Sequence, residues 1–480
     1  MREGYIPKEK RKKLLLLSDD LRLHSGIATM SRELVVQTCH RFNWVQLGAA
    51  IEHPDKQKVI DISQDLSQNA NIPDASGLIY PTNGYGNADL IRFLIDRERP
   101  DGIIFFTDPR YWGWLFAIES EIRKKIPMMY LNIWDDLPAP LYNKSFYESC
   151  DALFAISKQT LNINKLVLGE KTKDKVLKYV PHGINSKMFI PIDQNNEEEF
   201  KKLEEFKKNL FKDKQYDFVF LYNSRNIRRK SPSDLIAGYT VFCEKIGKEK
   251  AKKCLLLLHT DPLDQNGTDL LAVKELLCDP EHTNVEFTPA KYAPADMKYL
   301  YNSVDAVCLP SSNEGWGLSL TEAMMCGKMF IATVTGGMQD QMRFVDENGK
   351  WIDFNENFCS NHFGTYKECG EWAIPVFPSN SSMVGSLATP YIWDDRADFR
   401  DLAQAMEECY NLDSEERVRR GLKGREWATS REAMMSGELM GENIIEGVEE
   451  TLKTWKPRKQ HELIHAAKLP RKKLTHKLIY

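Results

Sequence analysis

Two blocks of short apolar runs, each broken by helix-patterned stretches, restrict this chain more than any other feature. The first block holds K-L-L-L-L-S (13–18), W-V-Q-L-G-A-A (44–50), D-G-I-I-F-F-T (101–107), P-M-M-Y-L-N-I-W (127–134) and D-A-L-F-A-I-S (151–157). The second holds F-V-F-L-Y-N-S (218–224), C-L-L-L-L-H-T (254–260), N-V-E-F-T (284–288), D-A-V-C-L-P (305–310) and M-F-I-A-T-V (329–334). Continuous apolar runs suit strands buried on both faces, and helices between them favour parallel α/β sheets. The chain therefore reads as two similar α/β halves with no close sequence repeat. A length of 480 residues agrees with two domains of about 200 residues each.

Residues 193–215 are highly charged with a helical apolar beat and read as the linker region. Residues 354–396 are rich in Asn, Ser, Pro and Gly and show no clear period. Helical patterning resumes near Asp398. The expected divisions are 1–195, 196–397, a helical 398–452 and a basic tail 453–480.

Bulk chemistry removes several classes of function. A net charge of −4 is not that of a general polyanion binder. The tail is an exception, with nine Lys/Arg against Glu462 alone, and offers a surface for nucleic acid or another anionic partner. The ten cysteines include no C-x-x-C, several lie in apolar runs, and Cys359 and Cys369 flank His362 at no zinc spacing. They read as reduced residues of a cytoplasmic protein. No run reaches the ~20 apolar residues of a transmembrane helix, and M-R-E-G-Y begins no signal peptide.

The segment most specific for chemistry is S-S-N-E-G-W-G-L-S-L-T-E-A-M-M-C-G-K (311–328), a loop after a strand and then a short helix. Ligands of open α/β sheets bind at the carboxyl ends of strands, where helix N-termini favour phosphate. Carboxylates accept hydrogen bonds from hydroxyls. Glu314 and Glu322 beside such a site fit a sugar nucleotide. Arg225 and Lys230, in S-R-N-I-R-R-K-S (224–231), stand beyond another strand end, where cations neutralise a departing diphosphate. T-G-G-M-Q-D (335–340) and S-G-I (25–27) add glycine turns after strands.

The 314–328 segment resembles the E-x7-E signature of retaining glycosyltransferases, especially glycosyltransferase family 4 with the GT-B fold. S-G-I, V-P-H-G-I-N (180–185), S-R-N-I-R-R-K-S and T-G-G-M-Q-D resemble further family segments in the expected order. The resemblance covers roughly residues 14–430. It implies two Rossmann-like domains across a cleft, with the late helices crossing back to the first. It implies that Glu322 binds the nucleotide ribose, that Glu314 contacts the donor sugar, and that Arg225 and Lys230 hold the diphosphate. Gly26 would allow closure, and Gly315, Trp316, Gly317 and Leu318 would line the donor site. The donor would be a UDP- or GDP-sugar, used without cofactor or metal. Where the family carries a histidine, this chain reads N-I-W-D-D-L-P (132–138), so Asp135 and Asp136 are candidates to meet the donor sugar or act as base. Asp340 stands where the family usually has Glu. The acceptor stays open between glycan, lipid-linked and small-molecule hydroxyls, with modified DNA bases as an alternative. A non-catalytic sugar-nucleotide-binding subunit is the other alternative.

Overall fold

A computed structural model describes residues 2–212, 214–288 and 291–458. The first sheet contains β1 (Lys12–Asp19), β2 (Phe42–Ala49), β3 (Ile60–Asp61), β4 (Gly77–Pro81), β5 (Gly102–Phe106), β6 (Met128–Asn132), β7 (Ala152–Ala155) and β8 (Val176–Tyr179). Their spatial order is β3-β4-β2-β1-β5-β6-β7-β8, and every pairing is parallel except β3 with β4. The second sheet contains β9 (Phe218–Asn223), β10 (Cys254–His259), β11 (Val285–Phe287), β12 (Ala306–Leu309), β13 (Met329–Thr333) and β14 (Ala373–Val376). It is wholly parallel, in the order β11-β10-β9-β12-β13-β14.

Leu14, Leu15, Leu16 and Leu17 have no exposed surface, so the unbroken apolar run in β1 follows from burial on both faces. The same holds for Leu256 and Leu258 of β10. In each sheet the strand order reverses beside its first strand, between β1 and β5 and between β9 and β12. At such a reversal the following loops diverge to opposite faces and leave a crevice. The two crevices face one another across the same cleft.

Three regions differ from expectation. The charged 193–215 stretch is not a bare linker but carries a helix, Glu197–Phe211, with Leu203 buried and Glu199 paired to Lys298. Its sparse apolar face suffices because only one side meets the second domain. Residues 354–396 are more ordered than their composition suggests. They supply β14 and an antiparallel hairpin, β15 (Asn380–Val384) with β16 (Ile392–Arg396). Of the late helices, Phe399–Asn411 packs on the Pro232–Ile246 helix and Ser414–Ala428 packs beside β13, so both stay with the second domain. Only Gly437–Thr454 crosses back, onto the Gly26–Thr38 helix and β8. Among the described residues no helix is long and apolar enough to cross a membrane.

Candidate active site

The second-domain wall of the cleft is built by the segments after β9 and β12. The chain leaves β9 through Asn223, Ser224 and Arg225, makes a short turn at Arg228–Lys230 and enters the Pro232–Ile246 helix with proline at its first position. After β12, residues 310–317 run into the Leu318–Met325 helix. Gly317 has φ +108°, a backbone region that other residues resist. Gly315 serves a close approach instead: a Cβ there would lie 2.7 Å from the Ile133 carbonyl oxygen of the first domain. Trp316 is buried and donates its indole N–H to Thr321 at 3.1 Å. Leu318 lines the cleft and faces Gly26, where a Cβ would meet its Cδ1 at 3.3 Å.

Glu314 is buried and ion-paired with the Lys230 ammonium. Arg229 Nη1 lies 3.0 Å from the same carboxylate oxygen and 2.7 Å from the Asn313 carbonyl. Burial pushes the Glu314 carboxyl up, but Lys230 and Arg229 outweigh it and hold it below the usual range. Burial takes Lys230 down to about 8 against the opposing pull of Glu314. Glu322 meets a different setting: it accepts a hydrogen bond from Tyr301, whose hydroxyl also accepts from Asn223 Nδ2 at 2.7 Å. Burial raises the Glu322 carboxyl to about 7, against the lowering effect of that bond. Arg225 pairs with Asp264 at 2.5 Å and extends to the outer rim, so Arg229 replaces it as Lys230's neighbour on Glu314.

The first-domain wall comes from the segments after β1, β5, β6, β7 and β8. Ser25 caps the Gly26–Thr38 helix, accepting from Ala28 N–H at 3.0 Å, and its hydroxyl donates to Asp19 at 2.8 Å. Gly26 lines the cleft at that helix's first turn. Asp135 also lines it; burial raises its carboxyl and the facing Arg229 pulls it back. Asp136 does not reach the cleft and is corrected from a candidate catalytic group to a structural one. It has no exposed surface and accepts from Gln159 Nε2 at 2.7 Å and Leu137 N–H at 2.8 Å, with Thr335 Oγ1, whose hydroxyl donates to Asp395, 3.3 Å away. The neighbouring aspartates thus face opposite ways, Asp135 into the cleft and Asp136 toward Gln159 and Thr335. His182 lines the cleft between Phe106 and Trp316, with Nδ1 unpartnered. Its burial lowers the imidazole to about 3, so the ring is neutral.

Asp340 acts between the domains. It accepts from the Lys158 backbone N–H at 2.8 Å and the Tyr179 hydroxyl at 3.0 Å. The cleft holds about 1000 Å³ and gathers Gly26, Asp135, Arg225, Lys230, Glu314, Gly315, Trp316, Gly317, Leu318 and Glu322. Among the described residues no group of three or more His, Cys, Asp or Glu side chains is placed to hold a metal.

Residues 201–358 match the family model described as glycosyl transferases group 1. An uncharacterized glycosyltransferase of Methanocaldococcus jannaschii is 28% identical over 101 residues, 21% of this chain and 25% of that protein. The aligned segment thus spans about a quarter of that relative. Anabaena HepE, solved with UDP and glucose, is similar with a TM-score of 0.61 at 13% identity, covering 92% of this chain and 100% of that one. Sucrose-phosphate synthase of Thermosynechococcus elongatus gives 0.63 at 15% identity over 92% and 100% of the two chains. The fold is therefore GT-B, two Rossmann-like domains facing across a cleft.

Proposed function

We propose that the protein is a retaining glycosyltransferase of the family 4 type that moves a sugar from a nucleotide-sugar donor to an acceptor hydroxyl. The observation that carries this reading is Lys230 and Arg229 converging on Glu314 where the crevices of both sheets meet. Cations held in a water-poor cleft stabilise the charge that develops on a departing diphosphate. Glu314, kept ionised beside them, suits the donor-sugar hydroxyls. Glu322, with no cation paired to it among the described residues, suits the ribose, which gives Gly-Trp-Gly-Leu between the acids the diphosphate-facing backbone. The 311–328 segment thus acts as an E-x7-E site.

In this reading the leaving phosphate oxygen takes the acceptor proton on the face it departs from, and the anomeric configuration is kept. Asp135 meets the donor sugar from the first domain. Transition-state charge is met by Lys230 and Arg229, so no metal is required of the reaction. The structure solved with UDP and glucose favours a UDP-sugar among donors, with a GDP-sugar next. Cysteines without disulfides agree with a cytoplasmic setting.

The test is a thermal-shift panel of UDP-, GDP-, ADP- and dTDP-sugars against the protein and Glu322→Ala, followed by proton NMR of the product anomer. A ligand at a hundred times its Kd stabilises the fold by about 2.7 kcal/mol. One donor raising the midpoint in the wild type alone, then yielding a retained anomer, is the expected result. No shift at saturating donor would defeat the donor assignment, and an inverted product would defeat retention.

A further inference from the structure

The hairpin β15–β16 lies in the region whose sequence shows no period, and its stem is anchored to both domains. Trp393 N–H donates to the Leu137 carbonyl of the first domain at 2.9 Å, and Asp395 N–H donates to the Ser312 carbonyl of the second at 2.8 Å. The buried Asp395 carboxylate accepts from Thr335 at 2.8 Å, Asn361 at 3.0 Å and Ser381 at 2.5 Å. Val384, Gly385, Ser386, Thr389 and Ile392 then form one wall of the cleft. The stem is thus fixed while the tip leans over the opening.

The tip has an unusual surface. Met383 is 56% exposed, Val384 41% and Leu387 105%. Between Ser381 and Tyr391 no side chain is charged. These apolar groups border a depression of about 590 Å³ that shares Val384, Gly385 and Ser386 with the cleft, so the two surfaces are continuous. Across the opening, Arg110 is held by Asp108 and donates to the Ala388 carbonyl and to Thr389 Oγ1 at 2.6 Å. The next residue, Tyr111, is 53% exposed and stacks on Tyr85 with centroids 4.4 Å apart and planes 3° from parallel. Tyr85 is tied through Asp19 to Ser25, the cap of the Gly26 helix. The mouth is therefore bordered by the Asp108–Arg110 segment, which touches the hairpin through Arg110, and by the aliphatic tip.

We propose that this hairpin is the acceptor-selecting wall of the cleft, and that the acceptor hydroxyl is carried on a small neutral molecule with an aryl aglycone. The inference rests on the glycosyltransferase reading of the same cleft. An aryl ring leaving the cleft along its Val384–Ser386 wall runs onto the exposed Met383 and Leu387 side chains, which bury its apolar surface. An anionic acceptor, DNA included, finds no free cation on the tip, and Arg110 is already committed to Asp108. A membrane surface would call for basic residues beside the apolar tip, and the tip has none.

The experiment measures binding to the full-length protein saturated with UDP, using paired methyl and 4-nitrophenyl glucosides, galactosides and mannosides. In at least one pair the aryl glycoside binds about tenfold more tightly, from the apolar area it buries. The double variant Met383→Ser, Leu387→Asp reduces that advantage below twofold, and Leu387→Asp alone weakens it. UDP binding stays unchanged in both. Equal binding within every pair, no binding of either member, or an aryl preference that survives in the variants overturns the inference while the donor reading stands. Failure of UDP itself to bind removes the donor reading and this inference with it. Sedimentation with phosphatidylcholine vesicles that Leu387→Asp abolishes, without aryl preference, identifies the tip as a membrane contact and overturns the proposal.

Discussion

Glu314 and Glu322 lie eight positions apart on one loop–helix segment, yet their surroundings are opposite. Glu314 sits before the helix and faces two cations, so its carboxylate is ionised. Glu322 sits inside the helix and meets the Tyr301 hydroxyl, so burial dominates and brings its carboxyl to about 7. The same residue type at a fixed spacing thus yields one permanent charge and one group that titrates near neutrality. The partners decide this, and they come from the turn after β9 and from the Met297–Asn302 helix.

Removing Lys230 strikes the charged end hardest. In Lys230→Met, Glu314 keeps only Arg229, and a buried charge that loses its partner costs about 3–5 kcal/mol. If Lys230 meets the leaving diphosphate as proposed, its loss lowers turnover by about 10²–10³-fold. Urea denaturation and nucleotide release from the donor check the two effects separately. An unaltered unfolding midpoint would show that the pair does not bear on the fold.

Gly315→Ala tests the same end through the backbone. Its Cβ would press on the Ile133 carbonyl, so the domains must part locally. Overpacking of this kind costs about 1–3 kcal/mol. If the donor sugar reaches Glu314 as proposed, binding of a UDP-sugar should suffer more than binding of UDP alone. Equal losses for the two ligands would mean that the close approach serves stability only.

The Glu322 end is probed by pH. If its carboxylate accepts from the ribose, donor affinity rises with pH up to about 7 and then levels, with one proton released on binding. Below that point the slope approaches tenfold per pH unit. Stability runs the other way. The folded-state value lies above the ordinary 4.5, so this group's contribution is full below 4.5 and is lost as pH rises through about 7. Glu322→Gln removes both dependences. Calorimetry in buffers of different ionisation heat reads the proton directly, and zero release at pH 6 would contradict a ribose held by the carboxylate.

Much of the fold was legible in the sequence because strands buried on both faces leave continuous apolar runs, as at Leu14–Leu17 and Leu255–Leu258. The short strands β4, β8 and β14 have weaker signatures, and the hairpin's half-exposed strands carry no apolar period at all. The site was legible where function and backbone coincide, as in Glu314–Leu318. It was not legible where tertiary contact assigns the role. Arg229 and Lys230 are neighbours in a basic run, and nothing in that run reveals that Arg229 rather than Arg225 joins Lys230 at Glu314. Asp135 and Asp136 look equivalent until the chain turns one toward the cleft and the other toward Thr335. Tyr301 lies in an ordinary helical stretch, and only folding brings its hydroxyl to Glu322.

That last contact gives the smallest and most diagnostic effect. Tyr301 is itself driven well above its ordinary range by burial and by Glu322, so its hydroxyl keeps its proton and is the donor. Tyr301→Phe removes the bond to Glu322, worth about 1 kcal/mol, together with the one accepted from Asn223, and leaves the ring packing in place. The lost bond to Glu322 is the one that lowers its carboxyl, so burial then acts unopposed and the value moves above about 7. The rise of donor affinity with pH should shift toward higher pH by less than one unit. Turnover at pH 8.5 or above, where Glu322 is ionised in both proteins, should differ little. A shift toward lower pH would mean that Tyr301 accepts rather than donates. Glu322 would then bind its ligand as a neutral acid, and its contrast with Glu314 would be one of protonation even in the loaded enzyme.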